Sequence, residues 1–398
     1  MRNGLTLRDA LARALDRSPY LASYSWEIRA REARALQAGL PPNPIFSAEV
    51  ENIGGSGPRR GTESAETTLL LSQLIELGGK RSKRRSVGVL EAQVAEWEYQ
   101  GARLAVVAAT TAAFIDALAQ QDAVRMAGEQ IQLAEDVLRA VERQVRAGAV
   151  SSAEVPRAEV EVTNQQIENR LRKRALRAAY VRLATAWGES EPVFSSLEGD
   201  LNAMSEVPSE AELVERMATA PDLARWQAEV TKRRAAIELA NARRIPDVTL
   251  GLGPRHFNDT DDWALVVGMQ VPIPVFDRNQ GARRESQSRL AKSREQQRSS
   301  ELRLRRELAG SYQGLASAYE EVVALRDEAI PTAKRAYAAT KRAQRRGALR
   351  FTDVLDAQRS LFALRTRLLE ALASYHLSRA QTEALIGGPL VTEKDGGK

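Results

Sequence analysis

The chain has 398 residues, 58 of them Lys or Arg and 52 Asp or Glu, with two histidines and no cysteine. The lack of cysteine excludes disulfides, thiolate metal sites and cysteine nucleophiles, and neither His256 nor His376 has the second histidine nearby that a zinc site would use. The net charge of +6 is dispersed, with Arg170 to Arg177 beside Glu159, Glu161 and Glu168, so no basic stripe marks nucleic acid as a partner.

Aromatic residues make up 5% and charged residues 28%, a balance typical of long helices with solvated faces. No run approaches 18 consecutive apolar residues, so no transmembrane helix is expected. The N-terminus lacks the apolar core of a signal peptide. If the chain is exported, its signal is expected to have been removed and Met1 to be an added start residue.

Two halves, 1–200 and 201–398, repeat one another. Pro19, Leu21, Tyr24 and Pro44 recur as Pro221, Leu223, Trp226 and Pro246, and Arg146, Gly148 and Ala149 recur as Arg345, Gly347 and Ala348. A repeat this long implies two fused copies of a multi-element unit rather than a solenoid.

In chain order, the first copy predicts a helix over 6–39 that stops before Pro41 and Pro42, because proline cannot continue a helix. Strands follow at about 44–53 and 65–76, then a long helix at about 82–147 and a helix at about 152–187. The second copy predicts a helix at about 209–243, strands at about 246–254 and 262–273, a long helix at about 282–346 and a last helix at about 352–386. In the first long helix, Val87, Leu90, Val94, Trp97, Leu104 and Ala108 recur at spacings of three and four, the seam of a coiled coil. About 64 residues at 1.5 Å each give a rod of roughly 95 Å.

The strands alternate with a period of two. Phe46, Ala48 and Val50 share one face, as do Val248, Leu250 and Leu252, and as do Trp263, Leu265, Val267, Met269 and Val271. The polar loops 54–61 and 254–262 read as hairpin turns. Two such hairpins are marginal alone. Their length and alternation suit a transmembrane barrel, and equally a small soluble sheet capping a helical bundle.

The order of helix, two strands, long helix, glycine turn and helix, given twice, resembles the TolC-like outer-membrane efflux family over nearly the whole chain. Pro42-Asn-Pro44, Glu51-Asn52, Gly55-Ser-Gly57 and Leu71-Ser-Gln73 leading to Ile75-Glu-Leu-Gly-Gly-Lys-Arg81 are similar to the cobalt-zinc-cadmium, heavy-metal resistance branch. The resemblance implies a mainly α fold with a small β part, a channel-tunnel of two tandem repeats. In it, three protomers give four strands each to one 12-stranded β-barrel above a periplasmic helical tube. It implies a homotrimer in the outer membrane of a Gram-negative bacterium, in contact with its lipid, working with a periplasmic adaptor and an inner-membrane pump of the RND type. It implies passive export of divalent heavy-metal cations, no cofactor and no enzymatic activity. Multidrug export, and a coiled-coil scaffold outside any membrane, are the alternatives. Many relatives carry a lipidated N-terminal cysteine, and this chain has none.

Gly78, Gly79, Lys80 and Arg81 do not make a phosphate loop, since Leu74 stands where its first glycine belongs. They are expected at the junction of barrel and helix, with Lys80, Arg81, Lys83, Arg84 and Arg85 near headgroups. Gly148 and Gly347 are expected at the hairpin tips. Asp353 and Asp356, three apart on one helix face, read from the residues alone as acids at a helix start. The family resemblance implies instead a cation-selecting pore entrance. Glu154 and Arg157 occupy the matching first-copy positions, with Glu154 as an accessory.

Overall fold

The computed structural model describes residues 4–346 and 348–390. The chain forms two compact units, one drawn from Met1–Ser23, Tyr99–Pro221 and Glu301–Lys398, the other from Tyr24–Glu98 and Asp222–Ser300. Each unit takes residues from both halves of the sequence.

The elements run β1 (Gly4–Thr6), α1 (Leu7–Arg17), α2 (Pro19–Ala38), β2 (Ile45–Glu51), β3 (Glu66–Ile75), α3 (Lys80–Arg146), α4 (Glu154–Thr185) and β4 (Ser196–Glu198). The second half continues with α5 (Glu210–Met217), α6 (Pro221–Ala242), β5 (Val248–Phe257), β6 (Asp262–Gln270), α7 (Gln280–Ala324), a π-turn (Leu325–Ala329), α8 (Ile330–Arg345) and α9 (Phe351–Ile386).

Three helices expected to be continuous are divided, each at a proline. The helix over 6–39 breaks at Ser18, whose backbone is extended, the conformation that a following proline imposes. Pro19 then opens α2, where its missing N–H costs no hydrogen bond. Pro221 divides the helix over 209–243 in the same way, and Ser209 caps α5 by accepting the Glu212 N–H at 3.4 Å. Within 282–346, Pro331 lacks the N–H of a regular helical turn and its ring crowds the carbonyl four residues back. The helix widens there into the π-turn, where the Ile330 N–H reaches the Leu325 carbonyl. By contrast, α3 runs for 67 residues without interruption.

One 18-residue window of α3 has a mean hydropathy of 1.6, apolar enough by length and composition to cross a membrane, although no unbroken apolar run reveals it. Val106, Phe114, Ile115, Ala117 and Leu118 on this helix are buried within the protein, so packing accounts for part of that apolarity.

The first unit has its core around Leu183, Leu213, Leu308, Leu315, Val322 and Tyr375. Its parallel pair β1 and β4, three residues each, joins Leu5 to Leu197 and was too short to show any alternation. Gln121 on α3 pins β4, accepting the Leu197 N–H at 2.8 Å and donating to the Leu197 carbonyl at 3.0 Å. The connection between the halves is tied to α9. The Tyr375 hydroxyl donates to the Ser205 carbonyl at 2.8 Å, and His376 Nε2 lies 2.9 Å from the Leu201 carbonyl. Burial lowers the His376 pKa. The neutral ring is therefore favoured, with its proton on Nε2, where the carbonyl accepts it.

The second unit holds a four-stranded antiparallel sheet in the order β2-β3-β5-β6. The two hairpins, far apart in sequence, meet through β3 and β5, so both halves contribute to one sheet. Among the described residues, β2 and β6 each pair on one side only. Their outer edges carry unpaired backbone groups.

Candidate functional site

The sheet has one apolar face, and that face is exposed. One register row aligns Phe46, Leu71, Leu252 and Val267, and a neighbouring row aligns Leu250 with Met269. Val267 and Met269 are each 74% exposed. A sheet in water buries such a face; a sheet in lipid presents it. The opposite face carries Ser47, Glu49, Ser72, Gly251, Arg255 and Gly268. Gly253 allows no side chain, since a Cβ there would come within 1.8 Å of the Leu69 carbonyl oxygen.

At the helix-side end of β3, Gly78 and Gly79 adopt φ of +69° and +68°, conformations that favour glycine. A Cβ on Gly78 would also meet Ile245 Cδ1 at 2.8 Å. Lys80 follows and is buried, its Nζ 2.7 Å from Asp247 Oδ1. Asp247 also accepts the Leu77 N–H at 2.9 Å. Burial alone would raise the Asp247 pKa, but the Lys80 hydrogen bond, the Leu77 N–H and the charges of Lys80 and Arg84 outweigh it and hold the carboxyl below its usual range. Arg84 pairs with Glu76 and donates to the Ala38 carbonyl at 3.2 Å. Of the basic cluster expected at headgroups, Lys80 and Arg84 therefore turn into the protein, while Arg81 is exposed. The pairs form because the charges would otherwise be stranded beside a backbone turn.

The corresponding turn of the second half uses Asn279, at φ +57°, a residue that tolerates the left-handed region through local hydrogen bonds. Its N–H donates to Asp277 Oδ1 at 2.8 Å and its side-chain amide to the Ala240 carbonyl at 2.7 Å.

At the first hairpin end, Gly148 has φ of +70°, and the Ala149 N–H reaches back to the Gln144 carbonyl at 2.9 Å. This is a helix stop of the left-handed glycine type. Gly347, expected at the second tip, lies outside the described residues. In α9, Asp353 Oδ2 accepts the Arg350 N–H at 2.9 Å, so it caps the helix start. Asp356 has a side chain 74% exposed, 3.8 Å from Arg359 Nη1. Glu154 is engaged within its own helix by Arg157 at 2.9 Å, and no hydrogen bond or ion pair between it and either aspartate is found among the described residues.

The acid that does join the aspartate turn is Glu161, present in the sequence only as one of many dispersed charges. Arg359 Nη2 donates to Glu161 Oε2 at 2.7 Å and Gln165 to Oε1 at 2.8 Å. The Glu161 side chain is 12% exposed. Its burial would raise its pKa, but the hydrogen bonds from Arg359 and Gln165 prevail and hold the carboxyl low. The bridge ties α4 of the first half to α9 of the second. Gln344 adds a second tie, donating to Gln144 at 3.3 Å. Among the described residues, no three histidine or acidic side chains are grouped as a metal ion requires.

A lipid-type sheet and long helical hairpins together define a channel protein of the outer membrane. The model of the outer membrane efflux protein family matches twice, over residues 10–189 and 213–388, and the chain belongs to that family. It is 28% identical to the cobalt-zinc-cadmium resistance protein CzcC of Cupriavidus metallidurans over 96% of this chain and 90% of that protein. It is 27% identical to the nickel and cobalt resistance protein CnrC of the same organism over 71% of this chain and 66% of that one. The solved structure of CusC, studied for folding and transmembrane channel formation, superposes with a TM-score of 0.81 at 17% identity, covering 96% of this chain and 92% of CusC. The fold is thus the TolC-like one, and the protein is a channel component and not an enzyme.

Proposed function

We propose that three copies of this chain close one 12-stranded barrel in the outer membrane and form the passive exit duct of a tripartite system with a periplasmic adaptor and an RND pump. The observation that carries this reading is the sheet, whose apolar face is exposed and whose edge strands β2 and β6 lack outer partners among the described residues. Every unpaired backbone group inside a bilayer costs several kcal/mol, so a barrel wall must be closed, and rotation about a threefold axis pairs one copy's β6 with the next copy's β2. The cargo is proposed to be divalent heavy-metal cations, supported by the likeness to the two metal-resistance proteins. The pore entrance is assigned to Asp353 and Asp356, where Asp356 is the freer charge, with Glu154 as an accessory. Gly148 and Gly347 are assigned to the hairpin tips.

The test is expression with an export signal, followed by fractionation. A detergent-requiring trimer in the outer membrane is expected; a monomer soluble without detergent overturns the reading. In planar bilayers, Asp353→Asn with Asp356→Asn should lower cation selectivity, because a ring of carboxylates around a narrow aperture attracts cations. Unchanged selectivity would leave these aspartates as helix-start acids only. Cadmium, zinc or cobalt tolerance, restored in a host that lacks its own duct, tests the cargo.

A further inference from the structure

The inner face of the sheet carries its charge at one end only. The row nearest the hairpin turns aligns Glu51, Glu66, Phe257 and Asp262, and the next aligns Glu49, Thr68, Arg255 and Ala264. The remaining inner rows, from Ser47 to Gln270, contain no ionisable side chain. Arg255 is therefore the one base on this face, set against four carboxylates.

Each of its three guanidinium nitrogens has a partner. Nε donates to Thr68 Oγ1 at 2.9 Å, Nη1 to Glu66 Oε2 at 3.0 Å, and Nη2 lies 3.3 Å from Glu51 Oε2. The Asn52 amide holds the other Glu66 oxygen at 2.9 Å. A planar fork bound on three sides keeps its charge at the wall rather than swinging across the lumen. Arg255 contacts two of the four carboxylates and offsets one unit of their charge, and Glu49 and Asp262 make no ion pair among the described residues.

We propose that Arg255 sets the charge selectivity of the turn-side mouth of the barrel, an ion filter separate from the aspartate turn of α9. The proposal rests on the duct reading, since it requires this face to line a lumen. Charged rings on a pore wall select by sign, and substitutions facing a barrel lumen tune selectivity rather than insertion. In a trimer each change is made three times around one opening.

The experiment is the potassium-to-chloride permeability ratio, from reversal potentials across a potassium chloride gradient. It is recorded in the parent and in the Asp353→Asn, Asp356→Asn background, where the other entrance no longer dominates. Arg255→Gln should raise the ratio by roughly twofold to threefold, the effect of about half a kT of added negative potential, which enriches potassium and depletes chloride together. Arg255→Lys should stay near the parent. Glu51→Gln, which leaves Arg255 bound to Glu66, should lower the ratio, and it decides the matter if Arg255→Gln fails to assemble. A conducting parent whose ratio does not move in either variant overturns the role of Arg255 alone. A parent that forms no conducting trimer overturns the duct reading and this role with it.

Discussion

The two halves of the chain solve the same sequence of structural problems with different residues. After β3 the backbone turns through Gly78 and Gly79, both left-handed; after β6 it turns through Asn279, equally left-handed but held by two hydrogen bonds. The first long helix, α3, is unbroken for 67 residues, whereas its counterpart is divided by a π-turn at Pro331. The difference teaches that the fold constrains backbone conformation at the junctions and leaves the chemistry that achieves it free. In the sheet the halves converge, since one row of side chains crosses all four strands.

The largest expected effect tests that convergence. Leu71 of the first half and Val267 of the second lie on the same outward row, both exposed. Arginine at either should cost roughly 2–4 kcal/mol if the row sits near the bilayer midplane, read as loss of assembled trimer in outer-membrane fractions. Equal losses are expected, because in one barrel wall the halves are equivalent. Arginine at Gly268, on the inner face, should assemble better; damage from both faces alike would argue against a lipid-facing wall.

Next in size is the bridge between the halves. Arg359→Gln leaves Glu161 buried with only Gln165 as a donor, a loss of about 1–3 kcal/mol, between the values for exposed and buried pairs. The Glu161 pKa is held low in the folded chain, so its contribution is present above the ordinary glutamate pKa and disappears as pH falls through the lowered folded value. Thermal unfolding in detergent should show that acid-side loss in the parent and a flatter profile in Arg359→Gln. An unchanged profile would mean that the bridge does not hold α4 to α9.

The junctions should then weaken for different reasons. Gly79→Ala meets no atom closer than Ser82 Oγ at 3.4 Å, so its cost is backbone strain alone, about 1–2 kcal/mol. Asn279→Ala adds no new Cβ strain, since Asn279 already holds a side chain at positive φ, but it strands the Ala240 carbonyl, a loss of about 1–3 kcal/mol. Both variants should melt below the parent; an Asn279→Ala variant that melts with the parent would show that Asn279 is placed by the fold rather than placing it.

Much of this architecture was legible in the sequence, and the unread parts have physical reasons. Alternation marked the outward residues Leu250, Leu252, Val267 and Met269 because a two-residue period survives any strand partner. The glycine repeated in both halves marked the helix stop at Gly148. The breaks at Pro19 and Pro221 were hidden because proline is as compatible with a helix start as with its end. The π-turn was hidden because it extends a helical pattern by one residue instead of ending it. Glu161 was unreadable as a site residue, since its significance comes from Arg359, 198 positions later, and long-range pairing leaves no local signal. Asp353 showed its spacing in the sequence, but only the Arg350 N–H bond shows how firmly it is held.

The smallest expected effect concerns that last residue and its counterpart at the start of α4. Asp353 accepts the Arg350 N–H and adds negative charge at a helix start, which together stabilise by about 1 kcal/mol or less. Asparagine keeps an acceptor oxygen in the same place, so Asp353→Asn should lose only the charge contribution, about 0.3–1 kcal/mol. Glu154 instead spends its charge on Arg157 at a surface where such pairs contribute about 0–1 kcal/mol, so Glu154→Gln should be as mild. In thermal melts both deficits should be smaller at high salt than at low salt, since salt screens the surface pair and the dipole interaction alike. For Asp353→Asn the loss of cation selectivity should nevertheless persist at any salt concentration low enough to measure it. If melting falls by several kcal/mol, the cap is structural to the whole hairpin, and a selectivity change in that variant could not be assigned to pore charge.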